Sequence, residues 1–172
     1  MTTKKIPVEY DRKKVRAFLE KIVVNTGVGR ASQMANFQDK IMPQIIRDLS
    51  AMTGQHPQIR PTTKSIAGFK TRAGQVSGLR ATLRRDKMVD FFERFVRIVL
   101  PRVRDFGGIS LSNVDHSGSL NIGLKEQFVF SEINQEQSPY TFPFGVTIVP
   151  KVKHREEAVE MYRTLGVPFK KQ

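Results

Sequence analysis

Apolar residues recur along the chain with two different periods, which predict strands and helices respectively. In residues 18–29, β-branched residues followed by glycines predict a buried strand and a tight turn. In residues 32–52 the apolar positions are spaced by three and four, which predicts an amphipathic helix that Ser32 can cap and Gly54 ends. Pro43 lies inside it, so either the helix kinks there or a second helix begins with Pro43 in its first turn. The apolar positions are Met34, Phe37, Ile41, Ile45, Leu49 and Met52.

The next segment, residues 58–85, contains glycines and an alternating pattern that predict two paired strands. A glycine-containing loop around residues 69–78 connects them. The alternating residues are Leu79, Ala81 and Leu83 on one face and Arg80, Thr82 and Arg84 on the other.

Residues beyond 85 predict two helices and two more strands. Asp86 is the expected cap of the first helix, and Pro101 with two glycines closes that region. The apolar side of this helix consists of Met88, Phe91, Phe92, Phe95, Ile98 and Val99. Residues 120–130 and 144–152 predict strands, and a last helix ends at Gly166.

Strands and helices therefore follow one another without regular βαβ alternation. This order favours the α+β class, with an antiparallel β-sheet and α-helices packed on one face. The length of 172 residues suits a single domain over residues 1–172. Residues 1–17 are polar and basic and predict an N-terminal arm, which is either loosely held or a short helix.

The charge is strongly unbalanced, since 29 Lys and Arg stand against 16 Asp and Glu, a net charge of +13. Such an excess indicates a polyanionic partner, either nucleic acid or an anionic membrane surface. The chain has no cysteine, no apolar run long enough to span a membrane and no apolar segment after its basic start. We therefore expect a soluble, cytoplasmic protein.

Catalytic, cofactor and metal motifs are not found. The glycines at 27 and 29 lack the third glycine of a dinucleotide fingerprint, because position 32 is serine, and Gln75 stands where a phosphate-binding loop needs lysine. The three histidines have no metal-ligand spacing, and helix capping and solvated faces explain the acidic pairs. We expect no enzyme activity, cofactor or metal.

The positive signal is residues 49–85, which contain seven basic residues and no Asp or Glu. A solvated charged face is one explanation, but glycines and hydroxyl side chains among the cations favour contact with a phosphate backbone. A sheet with loops suits RNA better than duplex DNA, and no basic amphipathic helix supports membrane binding. Phe69 either stacks on an unstacked base or packs inward. The seven cations are Arg60, Lys64, Lys70, Arg72, Arg80, Arg84 and Arg85.

Several segments in order resemble the bacterial-type fifth protein of the large ribosomal subunit, the family that binds 5S ribosomal RNA. They are KIVVNTGVG, TGQHPQIRPTTKSIAGFKTRAGQ, LRATLR, LPRVRDFGGIS and LGVPF. The resemblance implies an α+β fold, no catalysis and a place in the central protuberance of the cytoplasmic ribosome. It implies as partners 5S and large-subunit ribosomal RNA, peptidyl-site transfer RNA, neighbouring large-subunit proteins and a small-subunit head protein, and no membrane.

The resemblance also assigns RNA-contacting residues, namely Asn25, Gln55 and Thr82. Each has a structural alternative: turn capping for Asn25, a helix C-terminal contact for Gln55 and an ordinary strand position for Thr82. We expect phosphate contacts from Arg60, Lys64, Arg80 and Arg84. The loop that reaches transfer RNA in the family falls here on Phe69, Lys70, Thr71, Arg72, Ala73, Gly74 and Gln75.

Three features depart from the family's pattern. The N-terminal helix is shorter than usual, Thr26 stands where methionine is common, and residues 114–120 replace a segment that usually contains arginine and an aromatic residue. We assign no bridge residues in the last segment. A free-standing RNA-binding module or RNA chaperone is the alternative function, followed by a nucleic-acid-modifying enzyme and a membrane-surface protein.

Overall fold

Five strands form one antiparallel sheet in the computed structural model, which describes residues 11–69 and 71–170. The strands are β1 Leu19–Gly27, β2 Gln58–Pro61, β3 Val76–Leu83, β4 Leu120–Leu124 and β5 Phe144–Pro150. Their order across the sheet is β2-β3-β1-β5-β4, so the first strand lies at the centre and pairs with both β3 and β5. The predicted α+β fold with an antiparallel sheet is confirmed.

One face of the sheet is buried beneath the helices and carries the core. Buried and more exposed positions alternate along β3, β4 and β5, as the period of a half-buried strand requires. The core side of the three strands at the sheet centre includes Ile22, Val24, Leu79, Leu83, Val146 and Ile148, each no more than 1% exposed. Aromatic residues from the helices and from the later loops complete this core, among them Phe91, Phe92, Phe95, Phe130 and Tyr162.

In the described residues, five α-helical segments accompany the sheet: α1 Arg12–Phe18, α2 Met42–Thr53, α3 Arg85–Arg94, α4 Leu100–Arg102 and α5 Arg155–Thr164. Residues 12–17 of the predicted N-terminal arm thus belong to a short helix that ends at Phe18, and residues 1–10 lie outside the described part. The Asp11 carboxylate caps α1, and the backbone N–H of Lys14 lowers the pKa of this group. Val15 of α1 is completely buried, so the helix belongs to the core.

Two prolines lie in the first turn of a helix, directly after a π-helical turn. Pro43 follows the π-helical residues Phe37–Ile41, and Pro101 follows Phe95–Val99. In the turn before each proline the last N–H bonds five residues back, from Met42 to the Phe37 carbonyl and from Leu100 to the Phe95 carbonyl, and the proline itself has no N–H to donate. Of the two alternatives for Pro43, the structure shows the second.

Local deviations from the predicted helices have physical causes. Ser32 does not cap a helix, because it lies in a 3₁₀ turn and its hydroxyl donates to the Gly29 carbonyl. This turn interrupts the helical period, so Met34 is 53% exposed instead of buried. Ile98 is 45% exposed because it lies in the π-helical turn, where the α-helical period does not hold. Asp86 lies inside the first turn of α3 and pairs with Arg16, so it is not the cap.

The strand boundaries also differ from the predicted ones. β4 ends at Leu124, and the apolar residues after it belong to a 3₁₀ turn, Gln127–Val129, that places Phe130 in the core. The loop between β2 and β3 covers residues 62–75, because β3 already begins at Val76. An apolar run does not distinguish a strand from an irregular segment that is equally buried.

The segment 114–120, which departs from the family's pattern, is an ordered turn. The Asp115 carboxylate accepts hydrogen bonds from the Ser119 N–H and the Ser117 hydroxyl, both at 2.8 Å. Gly118 has φ +81°, and a Cβ there would come within 2.7 Å of the Ala158 Cβ. The buried Tyr162 hydroxyl lies 3.1 Å from the carbonyl oxygens of both Gly118 and Ile148. Tyr162 therefore joins this turn to β5 and α5.

Replacing Tyr162 by phenylalanine is expected to lower the free energy of unfolding by about 1–3 kcal/mol, because a buried hydrogen bond is lost and carbonyl oxygens are left without their donor. Urea unfolding measures the change, with Tyr140→Phe as the matched control. Burial also raises the pKa of Tyr162 above that of a tyrosine in the unfolded chain. The contribution of Tyr162 to the free energy of unfolding is therefore complete below about pH 10, where an unfolded tyrosine is neutral, and is lost as the pH rises further. Equal stability of the two variants at pH 7 would contradict the role of the hydroxyl.

Candidate nucleic-acid interface

The side of the sheet opposite the helices, called the open face below, carries mainly polar side chains and glycines. Its positions follow from the register, since Asn25 lies opposite Arg80 on β3 and opposite Gly145 on β5, and Arg80 lies opposite Gln58 on β2. The open face includes Gln58, Arg60, Gly78, Arg80, Thr82, Val23, Asn25, Gly27, Gly145, Thr147, Asn121 and Gly123. All of these residues are exposed or half-buried, in contrast to the core side.

Asn25 lies at the centre of the open face. Its side chain is exposed, and among residues 11–69 and 71–170 no group forms a hydrogen bond with its amide. A Cβ at Gly145 would lie 2.9 Å from the Asn25 Oδ1, so glycine at this position leaves room for the amide to lie across β5. The capping role that was an alternative for Asn25 has no hydrogen bond to support it in the described structure.

Arg80 lies beside Asn25 on β3, and one of its nitrogens has no partner. The Nε atom is buried and forms no hydrogen bond within the described residues. A buried donor without an acceptor is costly, and an acceptor from outside the chain would satisfy it. Together, the Asn25 amide and the Arg80 guanidinium form a polar pair on the open face that can bind a ligand.

Gln55 and Thr82 come together, but through a backbone contact. The Gln55 Nε2 donates to the Thr82 carbonyl oxygen at 3.2 Å, beyond the end of β2, where β3 has a neighbouring strand only on its β1 side. Thr53 holds the backbone of Gln55 through its hydroxyl, which donates to the Gln55 carbonyl at 3.0 Å. Gln55 thus stabilises the edge of β3, while the Thr82 side chain is on the open face opposite Val23.

The predicted cations Arg60, Lys64, Arg80 and Arg84 are exposed or half-buried, and none of them forms an ion pair with a described residue. Arg60 of β2 and Arg80 of β3 lie on the open face, Arg84 is the exposed residue between β3 and α3, and Lys64 lies in the loop of residues 62–75. No ion pair among the described residues involves Arg60, Lys64, Arg72, Arg80, Arg84 or Arg85. The ion pairs that the structure does contain lie mostly on the helices, as between Arg12 and Asp90 at 2.5 Å.

The loop of residues 62–75 has its own hydrogen-bonded structure. Thr62 and Gln75 pair at its base, where the Thr62 N–H donates to the Gln75 carbonyl at 2.8 Å. Ile66 and Thr71 exchange backbone hydrogen bonds farther out, at 3.1 and 3.3 Å. The loop is therefore a preformed extension of the β2–β3 hairpin.

Gln75 ties this loop to the segment after β1. Its Oε1 accepts from the Arg72 N–H at 3.1 Å, and its Nε2 donates to the Ser32 hydroxyl at 2.8 Å, which in turn donates to the Gly29 carbonyl. The amide of Gln75 is thus used inside the chain. Of the other predicted loop residues, Thr71 is half-buried and Arg72, Ala73 and Gly74 are exposed, while Lys70 and the Phe69 side chain lie outside the described residues.

Sequence reasoning missed Thr26 and Gly145. The Thr26 hydroxyl, which is 3% exposed, donates to the Pro143 carbonyl at 2.7 Å and so joins the end of β1 to the loop before β5. The departure from the family's methionine was the only sequence signal for Thr26. Nothing in the sequence marked Gly145, because its role depends on the register between two strands that are far apart in the chain.

Two other kinds of site are not found in the part of the chain that the structure describes. Within residues 11–69 and 71–170, no group of three or more His, Asp or Glu side chains is placed to hold a metal ion. The same residues contain no helix that is long and apolar enough to cross a membrane.

Comparison with known proteins defines the class. The model of the family "Ribosomal protein L5" matches residues 12–72, and the model of the C-terminus of the same ribosomal family matches residues 76–169. Large ribosomal subunit protein uL5 of Chlorobaculum tepidum is 42% identical over 154 residues, which cover 90% of this chain and 82% of that protein. The uL5 of Rubrobacter xylanophilus is 44% identical over 88% of this chain and 82% of that protein, and the uL5 of Solibacter usitatus is 40% identical over 98% and 94%.

These matches define a structural, non-enzymatic protein of the large ribosomal subunit. The two family models together cover nearly all of the described residues, and the sequence resemblance to the bacterial-type family is confirmed. The chain belongs to the uL5 family.

Replacing Gln75 by alanine is expected to loosen the loop of residues 62–75, because the Arg72 N–H loses its acceptor and Ser32 loses its donor. We expect the Arg72 amide to exchange with solvent roughly tenfold faster, the effect of one lost hydrogen bond of about 1–1.5 kcal/mol. Hydrogen exchange read by NMR measures this, with Gln135→Ala in another exposed segment as the control. Unchanged exchange in the loop would show that Gln75 does not hold it.

Proposed function

We propose that this protein binds 5S ribosomal RNA through its open face, as a structural constituent of the central protuberance. Asn25, Arg80 and Thr82 are its central contacts, and Gln55 supports the strand that carries the last two. The observation that carries the proposal is the pair formed by the Asn25 amide and the Arg80 Nε, which lie side by side without hydrogen-bond partners among the described residues. The site of action is the cytoplasmic ribosome, where large-subunit RNA and neighbouring proteins surround the chain.

The charge distribution supports a phosphate-rich partner for this face. Arg60 and Arg80 lie on the open face and Arg84 directly follows β3, and residues 49–85 contain no carboxylate that could compete with a phosphate. Glycines on the same side allow a backbone to approach closely, because side chains there would otherwise stand between the sheet and the ligand. Cations without acidic neighbours release counterions on binding, which provides affinity that does not depend on sequence.

The amide of Asn25 supports specificity in addition to affinity. A carboxamide both donates and accepts hydrogen bonds, so it can bind a ribose 2′-hydroxyl or the edge of a base. Lysine and arginine only donate hydrogen bonds. RNA recognition uses such contacts to exposed bases and 2′-hydroxyls. Asn25 therefore distinguishes a specific RNA from any polyanion.

The loop of residues 62–75 is the second part of the proposal. It extends from the hairpin, carries Lys64 and Arg72 without ion pairs to described residues, and is held by its own hydrogen bonds. A preformed basic loop loses little conformational entropy on binding. It reaches peptidyl-site transfer RNA through residues 69–75 and contacts a small-subunit head protein across the subunit bridge.

The test measures the affinity for 5S ribosomal RNA and for an unrelated structured RNA across a salt series. Seven phosphate contacts would lower the affinity by roughly 10³–10⁴ for each fourfold rise in salt. We expect the preference for 5S RNA to survive at high salt in the wild type and to fall in Asn25→Ala. Equal binding to both RNAs would favour a free-standing RNA-binding module or chaperone instead.

Cation variants separate phosphate contacts from specific ones. Lys64→Ala should weaken binding to both RNAs alike. It should also reduce the slope of log affinity against log salt concentration by about one, because one phosphate contact is lost. Arg163→Ala on α5 removes the same charge outside the open face and is the matched control. If the control lowers the slope as much as Lys64→Ala does, the basic residues act only through net charge.

A further inference from the structure

The two edge strands of the sheet are built differently. β2 forms one edge; it carries Arg60, ends at Pro61 and has a register shift between these two residues. Charged residues, prolines and bulges are features that keep an edge strand from pairing with another chain. β4 forms the other edge, contains neither a charged residue nor a proline, and pairs with β5 in an unbroken register. β4 therefore lacks the features that protect β2.

Alternate residues of β4 direct their backbone groups away from β5. The Ser119 carbonyl, just before the strand, accepts a hydrogen bond from the Asp115 N–H at 2.9 Å and so points away from β5. In an antiparallel ladder the N–H and C=O of one residue point to the same side of the strand, and those of the next residue point to the other side. Asn121 and Gly123 follow Ser119 at even spacing. Their N–H and C=O groups therefore lie along the outer edge of the sheet.

The outer edge is without a partner at Gly123. Within residues 11–69 and 71–170, the one bridge on this side of β4 joins Val114 to Leu120, at the beginning of the strand. The Gly123 backbone has no hydrogen bond outside the ladder with β5 in the same residues. Gly123 is exposed, and a Cβ there would meet no atom within 4 Å. A glycine inside a strand often marks a place where another backbone approaches closely, and Gly123 leaves room for one.

A hollow of about 390 Å³ lies directly beside this end of β4. It is bounded by residues 103–105, which follow α4, and by residues 123–126 at the end of β4. Its apolar lining is Val103, Leu124 and Val129, which belong to the core or pack against it. Side chains of an added strand would point alternately to the two faces of the sheet. One of them can therefore enter the hollow while the backbone pairs with β4.

The charges around the hollow are balanced, unlike those of residues 49–85. Arg104 and Lys125 are positive, Asp105 and Glu126 are negative, and all four are exposed. A phosphate backbone gains little at such a rim, because the carboxylates repel it as strongly as the cations attract it. Phosphate oxygens also only accept hydrogen bonds, whereas a polypeptide backbone carries a donor and an acceptor in each residue other than proline. The outer edge of β4 thus matches a polypeptide better than RNA.

We propose that the outer edge of β4 binds an extended segment of a neighbouring protein of the large ribosomal subunit, which adds a further strand to the sheet. The segment exchanges backbone hydrogen bonds with Asn121 and Gly123, and one of its apolar side chains fills the hollow beside Leu124. Strand addition takes its affinity from main-chain hydrogen bonds and its specificity from pockets for alternate side chains. The inference goes beyond the proposed function, because its partner is a protein and it does not require the binding of 5S RNA.

Photocrosslinking in assembled large subunits identifies what lies at this edge. Lys125, at the rim of the hollow, is replaced by p-benzoylphenylalanine, and purified large subunits that contain this protein are irradiated. We expect a crosslink to one peptide of another large-subunit protein, identified by mass spectrometry. The control carries the same photoreactive residue at Arg163, which is exposed on α5 and lies outside the lining of the hollow. A crosslink from position 125 to RNA alone, or to the same peptide as from position 163, would overturn the proposal.

Two variants of Gly123 test the edge hydrogen bond itself. Gly123→Pro removes the outward N–H, which takes no part in the ladder with β5, whereas Gly123→Ala keeps this N–H and places its Cβ in free space. With the photoreactive residue at position 125, we expect the crosslink yield to fall roughly three- to tenfold in Gly123→Pro, the effect of one lost backbone hydrogen bond. Gly123→Ala should retain the yield of the parent. Melting temperatures show that both variants fold, and equal yields from the two would contradict strand addition.

Hydrogen exchange of the wild type is a readout that needs no variant. The Gly123 N–H has no acceptor among the described residues, so it should exchange rapidly in the free protein and about tenfold or more slowly in the large subunit. Mass spectrometry of peptides that contain residue 123 measures both states. Equal exchange in the two states would overturn the proposal. Protection in the free protein that grows with protein concentration would assign the edge to a second copy of this chain and overturn it as well.

Discussion

The structure depends on the position of β1 at the centre of a sheet that the described helices cover on one side only. Because β1 pairs with both β3 and β5, it lies inside the sheet. Successive residues of β1 therefore face the core and the open surface in turn. Ile22 and Val24 are completely buried on the core side, so the intervening residues Val23 and Asn25 must lie on the other. A shift of register by one residue would bury Asn25 and expose the core, so burial of the helix-facing side is what holds the polar residues in place.

The separation of charge follows from the same division into two sides. Most carboxylates that form ion pairs lie on the helices, as in the pairs of Arg12 with Asp90 and of Arg16 with Asp86, where they neutralise local cations. Exposed pairs of this kind contribute little to stability, about 0–1 kcal/mol each. Residues 49–85 have no acid of their own, so this segment alone supplies seven of the net thirteen positive charges. A polyanion is thereby drawn to one side of the molecule.

Sequence patterns predicted the elements of this fold better than the contacts within the site. Strand alternation and helical spacing identified the core of β1, β3 and α3 because burial repeats with the period of the backbone. They failed at Met34 and Ile98, where a 3₁₀ turn and a π-helical turn change that period. The resemblance pointed to Asn25, but not to Gly145, Thr26 or Pro143. Thr26 and Pro143 are 117 positions apart, and no local pattern in the chain records a contact at that separation.

The turn after β1 connects the two parts of the proposed interface. Asn25 lies two residues before Gly27, and the segment that follows reaches Ser32, which binds Gln75 at the base of the basic loop. The Val28 N–H also donates to the Ser77 carbonyl at 2.9 Å, so the turn is tied to β3 at a second point. These two contacts tie the base of the loop to the segment that follows β1. An RNA bound at Asn25 would therefore fix the direction in which the loop of residues 62–75 extends, and this coupling needs no conformational change.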